Sequence, residues 1–150
     1  KGEKKICLLD DIIEGLEKNL LKDREIILQF VIKKENALSG FSKVGSRKAV
    51  TISKINGCIK ATVRAGKMQN VIVYLGAVGA KASKAPYIEK ALEGQWLEGI
   101  HKKELKDAVY EQIENNIPSR ASKHYKKSAA FGVIDDILGE LRELAGEVEM

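Results

Sequence analysis

The feature that most constrains this chain is a change of hydrophobic period at the stretch YLGAVGAKASKAP, residues 74–86. Upstream of it the apolar residues alternate. Ile55, Gly57, Ile59, Ala61 and Val63 fall on one side of a period-two pattern, and Asn56, Cys58, Lys60, Thr62 and Arg64 on the other. That alternation is the mark of a strand with one buried face. The segment RAGK, residues 64–67, reads as a tight turn in which Gly66 supplies a positive φ. The run NVIVYL after it, apolar on both faces, predicts the return strand, centrally placed in its sheet.

Downstream the period becomes 3.6. Pro86 is suited to a first helical position and Gly94 to a helix end, which predicts a short helix between them. Leu105, Ala108, Val109, Gln112, Ile113 and Ile117 form one stripe, stopped by Pro118. A last helix begins after Ser122 and carries Tyr125, Ala129, Val133, Ile134, Ile137, Leu138, Leu141 and Leu144 along one side. Strands first and helices last predict an α+β fold: an antiparallel sheet of about three or four strands, covered on one face by three helices.

The first third of the chain is less regular. LLDDIIEGLEKNLL suggests one or two helical turns, and REIILQFVIKK, residues 24–34, a strand bounded by charge. KENALSGFSKVGSRK, poor in apolar residues, is the best candidate for a linker or domain boundary.

Composition narrows the function classes. With 44% hydrophobic residues in 150, the chain can build a real core and is not disordered. No apolar run approaches the ~20 residues a membrane helix needs, and the start KGEKKICLLDD lacks a signal-peptide pattern. The chain does not begin with Met and is read as a piece of something longer, or a processed form. Cys7 and Cys58 make no disulfide framework, so a reducing, cytoplasmic setting is expected, with both thiols buried as small hydrophobes. The net charge of +5 is carried mostly by lysine, and aromatics are only 5%. A solvated surface explains that balance better than nucleic-acid binding.

No motif supplies a self-contained active site. Gly76 and Gly79 give G-x-x-G, which is neither the dinucleotide fingerprint nor a P-loop, because Lys81 and Ser83 are not adjacent. A KH module uses G-x-x-G between two helices, whereas this one leaves a strand. The favoured reading is a strand exit whose small residues let a helix turn back onto the sheet. The alternative is a basic nucleic-acid-binding module using that turn with Lys81 and Lys84. Cys7, Cys58, His101 and His124 lack metal-ligand spacing, and no nucleophile motif is present. Asp10–Asp11 and Asp135–Asp136 are sequence neighbours and point apart on a helix, so they read as caps or solvated positions. KHYKK, residues 123–127, reads as a charged first turn facing water.

The order of the segments resembles the FAD-binding medium subunit of the molybdenum hydroxylases, the xanthine dehydrogenase and carbon monoxide dehydrogenase relatives. Leu20, Asp23, Glu25, Ile26 and Ile27 match the end of its FAD-binding region. Phe41, Lys43, Arg47 and Ala49 match the family's F-x-K-x-x-x-R-x-A approach to the C-terminal domain. Gly76, Ala77, Val78, Glu89, Leu92 and Gly94 match the strand, turn and helix that follow. Arg120, Ser122 and Tyr125 match the start of the last helix, where Lys126 replaces the usual arginine and an acidic residue common before Arg120 is missing.

The resemblance implies residues 1–36 as the remnant of the FAD-binding domain and 37–150 as the CO dehydrogenase flavoprotein C-terminal-like domain. It implies a non-catalytic piece of an FAD-dependent oxidoreductase that helps close the flavin site and packs subunits, with FAD bound by the intact subunit rather than by this chain. Expected partners are the upstream FAD-binding domain and the iron–sulfur and molybdenum subunits; no membrane is involved and nucleic acid is not expected. The one cofactor-binding residue carried over is Lys43, where a cation would balance flavin or phosphate charge. An ordinary loop lysine is the other reading of Lys43, and the residues alone leave the two open.

Overall fold

The computed structural model describes residues 2–15, 18–47 and 50–148, which divide into two compact units, 1–35 and 36–150. In the first unit a single 3-10 turn, Leu9–Asp11, leads into a small antiparallel pair, β1 (Ile13–Gly15) and β2 (Lys18–Asn19). Over residues 8–21, where helical turns are expected, the described residues form that single 3-10 turn and the antiparallel pair instead. So short a segment, with Gly15 within it, cannot offset the cost of nucleating a helix.

Residues 24–34, expected as a strand, form none: they have no ladder partner among the described residues, and apart from the turn bond of the Glu25 N–H to the Lys22 carbonyl at 3.0 Å they make no backbone hydrogen bond to a described residue. Period-two patterning marks a segment fit for a sheet, but a strand exists only against a neighbour.

The second unit holds a four-stranded antiparallel sheet in the order β3–β4–β5–β6: Leu38–Gly45, Ser53–Arg64, Lys67–Gly76 and Ser83–Lys84. The expected hairpin is β4–β5, closed by Ala65 (φ 47°) and Gly66 (φ 75°). Two successive positive φ values match the right-handed twist of the strands, and Gly66 takes its value without a Cβ penalty. The supposed linker, by contrast, contains the whole of edge strand β3, paired from Leu38↔Ala61 to Val44↔Ile55. Its core-side residues are Leu38, Gly40, Ser42 and Val44. Two of the four are small or polar, so the alternation lacked the apolar contrast that marks a strand.

Helices α1 (Pro86–Leu92), α2 (Lys102–Asn116) and α3 (Lys123–Val148) follow as the period predicts. Gly94, at φ 77°, lies just past α1, and Ile117 caps α2 before Pro118. One apolar core joins the layers: Ile55, Ile59, Val73 and Leu75 from the sheet, Ile88 and Leu92 from α1, Leu105 and Ile113 from α2, and Val133, Ile134, Ile137, Leu138 and Leu141 from α3. Tyr125, expected in that stripe, is 47% exposed. It lies in the first turn of α3, and the Lys54 ammonium sits 5.9 Å from its ring centroid.

The strand edges are finished by helix carboxylates. Glu93 accepts the N–H groups of Asn70 and Val71, and Glu89 that of Val73, where β5 runs beyond the two residues of β6. On the opposite edge Glu140 of α3 accepts the Phe41 N–H. Backbone donors that would otherwise invite another strand are thus occupied.

Helix α3 is fastened to α2 through one carboxylate. Glu114 accepts from Lys123 at 2.5 Å and from Lys127 at 2.6 Å, and those hydrogen bonds pull its carboxyl from 4.5 to about 2. The KHYKK tract is therefore tied into the domain rather than facing water. Because the folded-state value is depressed, the clamp stabilises the protein fully above pH 4.5 and stops doing so as pH falls through about 2. In acid titrations monitored by circular dichroism, wild type should lose stability more steeply across that window than Glu114→Gln. Superimposable curves would show the clamp to be energetically silent, as many exposed pairs are.

Candidate functional site

With three helices on one face, the sheet leaves its other face free of helices. Strand alternation puts Phe41 and Lys43 of β3, Asn56, Cys58 and Lys60 of β4, Ile72 and Tyr74 of β5, and Lys84 of β6 on that side. Phe41, Cys58, Tyr74 and Lys84 stand in one cross-strand row, and Lys43, Asn56 and Gly76 in another. Phe41 is 58% exposed. Both Cys58 and Cys7 are exposed free thiols, which corrects the expectation that they are buried. Cys58 sits on the polar parity of β4, and that parity turned out to be the face turned away from the helices.

The four strands carry Lys43, Lys54, Lys60, Arg64, Lys67 and Lys84 and no acidic residue. The carboxylates that touch the sheet come from the helices and engage its edges. On the helix-free face itself, Phe41 and Tyr74 are accompanied by Lys43, Lys60 and Lys84 and by no strand carboxylate, an arrangement suited to a flat or anionic group.

Lys43 occupies the end of this face. It lies on a strand, not in a loop, because β3 begins well before it. Its backbone is held in register by Asn56, its side chain is exposed, and no described residue forms a hydrogen bond or ion pair with it. A shallow open depression of about 320 Å³ lies beside it, lined by Lys43, Val44, Gly45, Ser46 and Arg47. Arg47 is engaged locally: its Nε and Nη2 donate to the Val50 carbonyl at 3.0 and 2.6 Å. Ala49 lies outside the described residues. Lys54 is the extra residue of β4 at the register shift near Val44/Gly45.

The G-x-x-G turn is also at this end of the sheet. Its Val78 is buried, 1% exposed, beneath the turn, and Ala77 has a φ of 61°. The Ala77 carbonyl accepts from Lys126 of α3. Burial, with Arg120 adding repulsion, pulls the Lys126 ammonium below its usual range. The turn is thus anchored to α3 with a core side chain at its tip, as a scaffold turn should be. A backbone clamp for nucleic acid needs that tip in solvent. The role of Lys126 was not legible in the sequence, since its acceptor is a carbonyl 49 residues away.

His101 caps the start of α2 without a side-chain bond. Asp135 pairs with Lys102 at 3.2 Å, and Asp136 accepts from the Ser42 hydroxyl. Among the described residues no group of three or more His, Cys, Asp or Glu is arranged to hold a metal, and no helix is long and apolar enough to cross a membrane.

Comparisons with known proteins agree with this architecture. No curated protein sequence matches the chain. Among solved structures, quinoline 2-oxidoreductase from Pseudomonas putida 86 is similar, with a TM-score of 0.73 at 17% identity over 90% of this chain and 47% of its own. A carbon monoxide dehydrogenase from Hydrogenophaga pseudoflava that lacks the Mo-pyranopterin moiety of the molybdenum cofactor gives 0.67 at 18% identity, over 89% of this chain and 47% of its own. Reconstituted CO dehydrogenase from Oligotropha carboxidovorans gives 0.66 at 17% identity over the same shares. At these identities the likeness is one of fold, and the chain spans about half the length of the chains it matches. The model of the CO dehydrogenase flavoprotein C-terminal domain matches residues 41–141, from Phe41 on β3 to Leu141 on α3, and the chain belongs to that family.

Proposed function

We propose that this chain is the C-terminal part of the FAD-binding subunit of a molybdenum hydroxylase of the xanthine dehydrogenase and CO dehydrogenase type. Residues 1–36 are the end of the FAD-binding domain and 37–150 the C-terminal domain. The domain is not catalytic alone. It walls the flavin site with the helix-free face of its sheet and offers contact surface to the iron–sulfur and molybdenum subunits. FAD, when bound, supplies the electron transfer; the protein binds and orients it. Family membership supports this reading, as do the two exposed free thiols, which suit a reducing cytoplasm.

The observation that carries the proposal is Lys43: an exposed ammonium with no partner among the described residues, fixed on a strand, on a face whose strands bear no carboxylate. These residues fit an anionic cofactor edge. Lys43 would hold negative charge of the flavin or its pyrophosphate, and Phe41 beside it on the same face would exclude water. No glycine-rich phosphate loop is present in the sequence to hold the rest of the cofactor.

The test uses the intact subunit. Lys43→Glu should weaken FAD binding by ~10-fold or more, equivalent to about 1.4 kcal/mol, as read by flavin fluorescence on dilution. Lys43→Arg, which keeps the charge, should retain most of the affinity. Equal flavin affinity in wild type and Lys43→Glu would remove the residue from the site. The 150-residue chain by itself should purify colourless; stoichiometric flavin on it would contradict the assignment.

A further inference from the structure

Among the described residues, the densest run of exposed large apolar side chains is in the first unit, in the segment that the sequence marks as a strand. Ile26, Ile27, Leu28, Phe30, Val31 and Ile32 are each between 45% and 89% exposed. Six large hydrophobic side chains within seven residues are far more than the scattered surface apolar groups a free-standing protein tolerates. Residues 26–34 also make no backbone hydrogen bond to any described residue.

In an extended conformation, Ile26, Leu28, Phe30 and Ile32 share one side, and Ile27, Gln29 and Val31 the other. The first side is then wholly apolar, and the second is apolar at both positions flanking Gln29. An edge strand or a half-buried strand shows alternation; a strand covered above and below does not. Charges bound the run on both flanks, Arg24–Glu25 before it and Lys33–Lys34 after. The seven residues would span ~23 Å, an ordinary strand length.

The similar structures indicate where the partner comes from. The matched 90% of this chain is 135 residues, more than the 115 of the second unit, so the match takes in at least 20 residues of the first. The matched region is 47% of that neighbour's chain, which leaves about half its length outside the match.

We infer that residues 26–32 are an interior strand, buried on both faces, of a sheet whose other strands belong to the part of the full-length subunit outside these 150 residues. The inference rests on the proposed reading of the chain as one end of a flavoprotein subunit. The partner it specifies is a strand edge with apolar cover on two sides, not another copy of this chain.

Hydrogen–deuterium exchange tests it, on the 150-residue chain and on the full-length subunit, with flavin content measured on the same samples. Amides 26–32 should exchange freely in the chain and at least 100-fold more slowly in the subunit. Ile27→Lys and Leu28→Lys, one on each side, should both lower the melting temperature of the full-length subunit, whereas a strand covered on one side would be sensitive at only one of them. Free exchange in the full-length subunit would overturn the inference, and so would equal protection in the chain as a homodimer. A flavin-loaded subunit with unprotected amides would defeat the inference and leave the proposed function standing. A flavin-free subunit with protected amides would do the reverse.

Discussion

Truncating Ile137 to alanine should destabilise the second unit by about 3 kcal/mol, the middle of the range for large-to-small core changes. In a domain of this size that lowers the melting temperature by roughly 10 °C. Ile137 is fully buried at the centre of the α3 stripe. Its Cγ2 would lie 2.9 Å from a Cβ placed on Gly40, so it fills the space where helix meets edge strand. The neighbours cannot collapse into the gap easily, because β3 is held from below by eight residues of pairing with β4 and from the side by Glu140. Thermal unfolding followed by circular dichroism gives the measurement. A change below about 1 kcal/mol would mean that α3 does not bear on the sheet there as described.

Gly40→Val is expected to act in the opposite sense to strand propensity. Valine is a better strand former than glycine, so a reading of β3 alone predicts a gain. The structure predicts a loss of roughly 2–3 kcal/mol through overpacking. A Cβ at Gly40 would approach Ile137 Cγ2 to 2.9 Å and Glu140 Oε2 to 2.7 Å. The carboxylate can swing away, at the expense of its bond to the Phe41 N–H; the buried isoleucine cannot. Combining Gly40→Val with Ile137→Ala should therefore lose less than the two separate changes together, by about 1 kcal/mol or more, since one side chain enters the space the other vacates. Strict additivity would refute the contact. Gly132→Ala is the control: nothing lies within 4 Å of its Cβ position on α3. There the usual helix preference should apply, a gain of about 0.5–1 kcal/mol.

The elements were legible where the pattern was strong. The β4–β5 hairpin and the three helices follow from a period of two and a period of 3.6, with Gly66, Pro86, Gly94 and Pro118 as punctuation. Strand β3 was read as a linker because Gly40 and Ser42 face the core, and smallness at an inward position looks like loop composition. Only α3 lying across Gly40 explains why it is small there. The G-x-x-G turn was read as scaffold, and buried Val78 with the Lys126 anchor explains why. The exposure of Cys58 was not read, because parity gives two faces without saying which one the helices cover.

The candidate site was partly legible. Lys43 came from the family resemblance, not from any local signal; a single lysine among so many has none. Its placement on a strand at the end of an acid-free face emerges only when β3, β4, β5 and β6 are set side by side. Glu89 stood out in the sequence only as a family match, and Glu93 and Glu140 carried no signal, yet the three close both edges of the sheet.

By itself, then, the order of residues determined the class of fold, the hairpin, the helix limits and the family, because hydrophobic period and turn chemistry act over a few neighbouring positions. Tertiary structure alone decided which face of the sheet the helices cover, which carboxylates seal its edges, and that residues 26–32 pair with no strand among the described residues. Those outcomes depend on partners distant in sequence, and a local pattern can show that a group needs a partner without showing which one it meets.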